Sequence, residues 1–151
     1  WRLGWLVAPP HAVRDIEKLA QNLYISPNGV AQHAALACFT DETYAIAEAR
    51  VQEFDLRRKY LTHALREIGF KIPIDPDGGF FVYADCSAFS NDSAEFCIEL
   101  LDATGVAFSP GTDFGTYRAN EHVRIAYAVG MEKLKEGVAR LRGHLLNARN
   151  P

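Results

Sequence analysis

No apolar run in this 151-residue chain approaches the ~20 residues needed to cross a bilayer, and stretches such as Gly79 to Ala84 fall far short of it. The N-terminus has no signal-peptide layout either, so no membrane association is expected. Cysteine is scarce. Cys38, Cys86 and Cys97 are odd in number, far apart and form no CxxC, which excludes a disulfide framework or thiolate zinc site and favours a reducing compartment, the cytoplasm. A basic excess is missing too: 16 Lys+Arg stand against 19 Asp+Glu, for a net charge of −3, which argues against a nucleic-acid partner held by phosphate neutralisation. The five histidines show no HxxxH spacing, so no metal site is expected. Glycines form neither GxGxxG nor GxxxxGK, and no serine sits in GxSxG, so no nucleotide loop is expected and turn chemistry accounts for Gly78-Gly79 and Gly111. Repeats and low-complexity segments are absent.

What is present is the balance of a soluble globular protein, 48% hydrophobic and 23% charged. A chain of this length buries roughly 70% of its unfolded surface, enough for a core without staples. It opens on Trp1 rather than Met, so it is expected to be a piece processed or cut from something longer. Leu3 to Val7 reads as a short buried strand closed by Pro9-Pro10. Pro10 then opens a helix with Val13, Ile16, Leu19, Ala20 and Leu23 on one side, ending near Tyr24. Ser26-Pro27 caps a second helix, Asn28 to Phe39, whose alanines predict a buried, closely packed face. A third helix runs from Asp41 to Ile68 with a seam of Tyr44, Ala47, Val51, Phe54, Leu61, Leu65 and Ile68 that only Arg58 breaks. At about 40 Å it is longer than a small domain needs, and a bridge between two lobes is expected.

The second half changes character. Asp75-Pro76-Asp77-Gly78-Gly79 is a dense turn signal before the aromatic run Phe80-Phe81-Val82-Tyr83, a strand. Asp92 or Ser93 caps a helix bearing Phe96, Leu100 and Leu101, which Gly105 ends; Val106-Ala107-Phe108 reads as a strand, as does His122 to Ala128. Met131 to Leu146 is a closing helix with Leu134, Val138, Leu141 and Leu145 on one face. The N-terminal strand and two helices have no sheet of their own to join, so a partner sheet is expected in other sequence or another copy.

Two arginines stand out. Arg2, next to the terminal residue, reads by itself as a solvated side chain. Arg124 interrupts Val123, Ile125, Tyr127 and Val129, and strand alternation sets it with His122, Ala126 and Ala128 on the opposite face. Residue types alone leave two roles open for it, an ion pair with Asp85 or Asp113 or the binding of an anion, the alanines leaving room for a ligand. Cys86 and Cys97 lie in apolar surroundings without an identifiable base, which favours packing over nucleophilic roles.

Four segments carry a resemblance. Trp1-Arg2-Leu3-Gly4-Trp5, Pro76-Asp77-Gly78-Gly79-Phe80-Phe81, Pro110-Gly111-Thr112-Asp113-Phe114-Gly115 and Val123-Arg124-Ile125-Ala126-Tyr127 together, in this order and spacing, resemble the C-terminal part of fold-type I pyridoxal-phosphate enzymes, specifically the class I/II aminotransferases. The resemblance covers essentially the whole chain. It implies that Arg2 matches the arginine that contacts the phosphate of pyridoxal 5'-phosphate, shortly after the lysine that holds this cofactor. It also implies that Arg124 matches the arginine that binds the substrate α-carboxylate. A planar guanidinium suits both tasks, since it can hold two oxygens of a carboxylate or phosphate in a fixed orientation. The cofactor lysine, the acid paired with the pyridine nitrogen and the aromatic residue stacked on the ring belong, by the same resemblance, to sequence before Trp1; Lys18, Lys59, Lys71, Lys133 and Lys135 do not match the lysine's motif. No catalytic residue is therefore expected here, the cofactor is not expected to bind this segment covalently, and the segment alone is expected to be inert.

The fold expected is α/β, with an α+β small domain whose three-stranded sheet is covered by helices. A long helix joins it to a strand-helix-helix remnant of a large domain. Residues 1–40 would be the remnant of the large cofactor-binding domain, 41–69 the bridging helix and 70–151 the small C-terminal domain. The implied partners are an amino acid, a 2-oxo acid and a second copy in a homodimer. A related fold-type I lyase or synthase, or a ligand-sensing aminotransferase-like domain of a transcription regulator, is also compatible with the scaffold.

Overall fold

The computed structural model describes residues 1–147. The chain divides into two compact units, one from Trp1 to Arg50 and the other from Val51 onward, and the division falls inside a helix.

The first unit holds helix α1, Pro10–Leu23, and helix α2, Gly29–Ala35, followed by a 3-10 turn over Leu36–Phe39. Pro10 stands in the first turn of α1, where its missing N–H costs nothing. Asn28, not Ser26, caps α2: its side-chain oxygen accepts from the Ala31 amide at 3.1 Å. Two expectations fail here. Leu3 to Val7 forms no strand, because a strand needs a neighbour to satisfy its peptide groups and the first unit holds no strand among its described residues; Trp5, Leu6 and Val7 stay exposed. The alanine-rich helix is not buried either, Ala31 alone being covered. Trp5 does meet Phe39, ring centroids 5.6 Å apart.

Helix α3 spans Asp41–Ile68, the bounds the sequence predicts. Its seam divides. Tyr44 and Val51 are exposed, whereas Arg57, Leu61, Thr62, Ala64, Leu65 and Ile68 are buried. Gly69 ends it at φ 119, a left-handed geometry that only glycine takes without strain, and the amides of Gly69 and Phe70 close back on the Leu65 carbonyl at 3.1 and 3.0 Å.

The second unit is built on an antiparallel sheet of strands β1, Phe81–Asp85, β2, Ser109–Pro110, and β3, His122–Ala126, in the order β1-β3-β2. The register pairs Val82 with Ile125, Tyr83 with Arg124 and Ser109 with Arg124. The expected strand at Val106–Phe108 is displaced to Ser109–Pro110, since pairing with β3 decides which residues enter the ladder. Helix α4, Ser93–Thr104, starts at Asp92, whose carboxylate accepts from the amides of Ala94 and Glu95, and stops at Gly105, φ 70. Helix α5, Met131–Asn147, turns Leu134, Val138, Leu141 and Leu145 inward. With Leu61, Leu65 and Ile68 of α3 and Leu100 of α4, these leucines and valines cover one face of the sheet, formed by Val82, Ala84, Val123 and Ile125. Burial of such side chains contributes about 1.5–3 kcal/mol each and fixes the register, because a one-residue slip would turn Arg124 into the core.

Candidate active site

The face of the sheet away from this core bears the aromatic, histidine and arginine side chains of β1 and β3. Alternation puts Phe81 and Tyr83 of β1 beside His122 and Arg124 of β3. Arg124 sits mid-sheet, flanked by Tyr83 on one side and Ser109 on the other. Its Nη2 donates to the Ser109 hydroxyl at 3.3 Å. The guanidinium carbon lies 4.4 Å from the Phe114 ring centroid and 5.4 Å from that of Phe81. Among the described residues no carboxylate comes within 4.0 Å of it. Asp85, one ion-pair partner that residue types allowed, is engaged elsewhere: it accepts from the Ser87 amide at 2.8 Å and faces Arg118 at 3.4 Å. Burial pushes the Asp85 carboxyl upward, but the hydrogen bonds from Ser87 and nearby cations outweigh it and leave the group below its ordinary range.

The neighbourhood is held by close packing. The Tyr83 and His122 rings stack at 5.0 Å and 11°. His122 Nδ1 lies 2.9 Å from the Arg118 carbonyl. Arg118 takes a left-handed φ of 49 and pairs with Glu121, which pins the turn leading into β3. Gly111 admits no side chain, because a Cβ there would meet the Ala119 carbonyl at 2.4 Å, the Tyr83 hydroxyl at 2.7 Å and the His122 carbonyl at 2.8 Å. This contact seats the Pro110 to Phe114 turn against β1 and β3. Behind β3, the Tyr127 hydroxyl donates to the Gly78 carbonyl at 3.4 Å, joining the glycine turn to the strand that bears Arg124. A groove of about 290 Å³ lined by Phe54, Asp55, Arg58, Gly78, Gly79 and Tyr127 lies elsewhere in this unit, and there Asp55 and Arg58 already pair at 2.6 Å.

Arg2 belongs to the first unit, exposed at φ 63 and without an ion pair among the described residues. Arg124 belongs to the second. Cys86 and Cys97 are buried, and burial pushes both thiols up to about 11, so neither supplies a thiolate at neutral pH. No group of three His, Cys, Asp or Glu suited to a metal ion occurs among the described residues. Residue patterns alone did not reveal Phe81, Phe114, Ser109 and Gly111 as neighbours of Arg124. Phe114 had a weak signal, an aromatic residue in a turn that had no apolar partner nearby in sequence. Arg57 also went unread, a buried cation donating to the Ala128 carbonyl at 3.2 Å beyond the end of β3.

The geometry is thus a helix-covered antiparallel sheet whose open face bears an arginine with no carboxylate within 4.0 Å among the described residues. Residues 1–141 match the family described as aminotransferase class I and II, and the chain belongs to that family. It is 40% identical over 141 residues to the valine–pyruvate aminotransferase of Mycobacterium tuberculosis, covering 93% of this chain and 36% of that protein. It is 33% identical over 145 residues to a (5-formylfuran-3-yl)methyl phosphate transaminase of Methanocaldococcus jannaschii, covering 96% and 38%. Among solved structures, an aminotransferase from Mycobacterium tuberculosis superposes with a TM-score of 0.88 at 40% identity, over 97% of this chain and 38% of that one. The aromatic aminotransferase from Pyrococcus horikoshii does so with 0.83 at 29% identity, over 99% and 40%. The chain therefore spans between 36% and 40% of the length of these relatives. The family depends in general on pyridoxal phosphate.

Proposed function

We propose that this chain is the C-terminal part of a pyridoxal-phosphate-dependent aminotransferase that exchanges an amino group between an amino acid and a 2-oxo acid, and that Arg124 binds the carboxylate common to both. The observation that carries the reading is the guanidinium on the open face of the sheet, flanked by two aromatic rings, with no carboxylate partner within 4.0 Å among the described residues. An arginine so placed can take the two oxygens of a substrate carboxylate through parallel N–H donors, which fixes both the position and the plane of the bound acid. The aminotransferase names of the relatives favour amino-group transfer over the lyase, synthase and regulator alternatives.

The residues present fit one part of the cofactor only. Arg2, exposed and without an ion pair among the described residues, suits its phosphate, whereas no lysine here lies in the family's motif. Pyridoxal phosphate, when bound, supplies the electron sink for the reaction. Residues 1–40 then belong to the large domain, 41–69 to the bridge and 70–151 to the small domain of a homodimeric enzyme. Three cysteines without a disulfide suit a reducing, cytoplasmic setting.

In the full-length enzyme, Arg124→Ala should raise the KM for both the amino donor and the 2-oxo acid at least about tenfold to a hundredfold, as loss of a charge-assisted pair requires. Arg124→Lys should recover part of this, and cofactor affinity should hardly change. Half-reaction kinetics and a melting curve on the same variants decide. A destabilised Arg124→Ala protein whose folded fraction keeps wild-type kcat/KM would sink the binding role. The segment alone, mixed with pyridoxal phosphate and reduced with borohydride, should keep its intact mass.

A further inference from the structure

The turn Pro110-Gly111-Thr112-Asp113-Phe114 does more than lead the chain from β2 toward β3. We infer that Phe114, brought over Arg124 by the close seat of Gly111, is a positioning residue that sets the orientation of the carboxylate-binding guanidinium. The inference rests on the reading of Arg124 as the residue that binds the substrate carboxylate.

Arg124 has a long side chain whose freedom must be lost before it can present a fixed fork. Its own strand gives it little support, because Ala126, the next residue on that face, ends at a methyl group. One hydrogen bond, to Ser109 at 3.3 Å, is long. The nearer of two aromatic supports is the Phe114 ring, 4.4 Å from the guanidinium carbon, with Phe81 at 5.4 Å. A ring quadrupole attracts the cation without offering an oxygen, so the contact restrains the head while leaving its N–H groups for a ligand carboxylate. An aspartate in the same place would restrain it equally well and occupy those donors.

The placement of Phe114 is specific. Residues Gly111–Asp113 form a 3-10 turn, and the Phe114 amide donates to the Gly111 carbonyl at 2.9 Å. Gly111 lies so close to Ala119, Tyr83 and His122 that no Cβ fits, and this close seat carries the turn up against β1 and β3. Phe114 itself is 50% exposed and does not join the hydrophobic core, so its ring contributes little to folding.

The test uses the full-length holoenzyme. Phe114→Leu keeps an apolar side chain of similar bulk and removes the quadrupole. It should raise the KM for the amino donor and for the 2-oxo acid alike, about threefold to tenfold, with Tm and cofactor affinity unchanged. Phe114→Tyr should restore values near wild type. In an Arg124→Ala background, Phe114→Leu should add nothing, since there is no guanidinium left to place. An unchanged KM in Phe114→Leu overturns the inference. So does a loss that persists in the Arg124→Ala background, which would mean that Phe114 touches the substrate itself. If Arg124→Ala leaves both KM values unchanged, the carboxylate reading falls, and this proposal with it.

Discussion

Helix α1 exposes Val13, Leu19 and Leu23 to 40%, 62% and 78%, while α5 hides Leu134, Val138, Leu141 and Leu145 almost completely, although both carry an apolar stripe at helical spacing. The contrast extends to the whole of each unit. In the second, three helices and a sheet cover one another; in the first, one alanine is the sole fully buried side chain among the described residues. Periodicity therefore states which face of a helix requires cover. It does not state what provides it, and the two units differ in that second respect.

Core truncation should expose this difference most strongly. Leu65→Ala, at the centre of the second unit, should destabilise it by about 2–5 kcal/mol, whereas Leu23→Ala in α1 should stay within about 0.5 kcal/mol. Urea unfolding of both variants checks it, and equal losses would erase the distinction. Gly111→Ala comes next, since forcing a Cβ against three oxygens typically costs about 1–3 kcal/mol. A lowered Tm together with weaker substrate binding is the expected outcome.

Helix caps allow the same chemistry to be compared in both units. Asp92→Ala should cost the second unit about 1 kcal/mol, because α4 is part of its core. Asn28→Ala should leave that unit's stability unchanged and merely speed amide exchange over Gly29–Ala35. Hydrogen exchange by mass spectrometry reads both. The smallest effect is electrostatic. The Asp85 carboxyl is held below its ordinary range when folded, so it adds stability above the unfolded value near 3.8 and loses it as pH falls through the lower folded value. Asp85→Asn should flatten the acid limb of the second unit's stability curve, and an unchanged limb would show that other carboxylates govern it.

Local signals made much of the second unit legible. Gly105 and the inward leucines of α5 mark their helices, the cap of α4 falls on Asp92, one of the two residues the sequence offers, and the alternation around Arg124 places it on the face opposite the apolar one before any pairing is known. The strand expected at Leu3 to Val7 is different in kind, because a strand exists only with its neighbour and the apolar run could not name one. For the same reason Val106–Phe108 yielded to Ser109–Pro110, where β3 made the choice. On the open face, the sequence singles out Arg124 but not its companions. That Phe114 meets its guanidinium depends on how tightly Gly111 packs, a three-dimensional fact with no sequence period. Arg57 was hidden by the habit of reading arginine as solvated. At 8% exposed it is paired with Glu53 and clasps a carbonyl beyond β3.

The distribution of the three thiols gives the molecule its own chemical reporters. Cys38 lies open in the first unit, while Cys86 and Cys97 are enclosed in the second and raised to about 11. An alkylating reagent at mild pH should then mark Cys38 at once in this folded chain. Labels on Cys86 and Cys97 should accumulate only as fast as the second unit opens, so a single mass spectrum taken over time counts unfolding events without any added dye or tag.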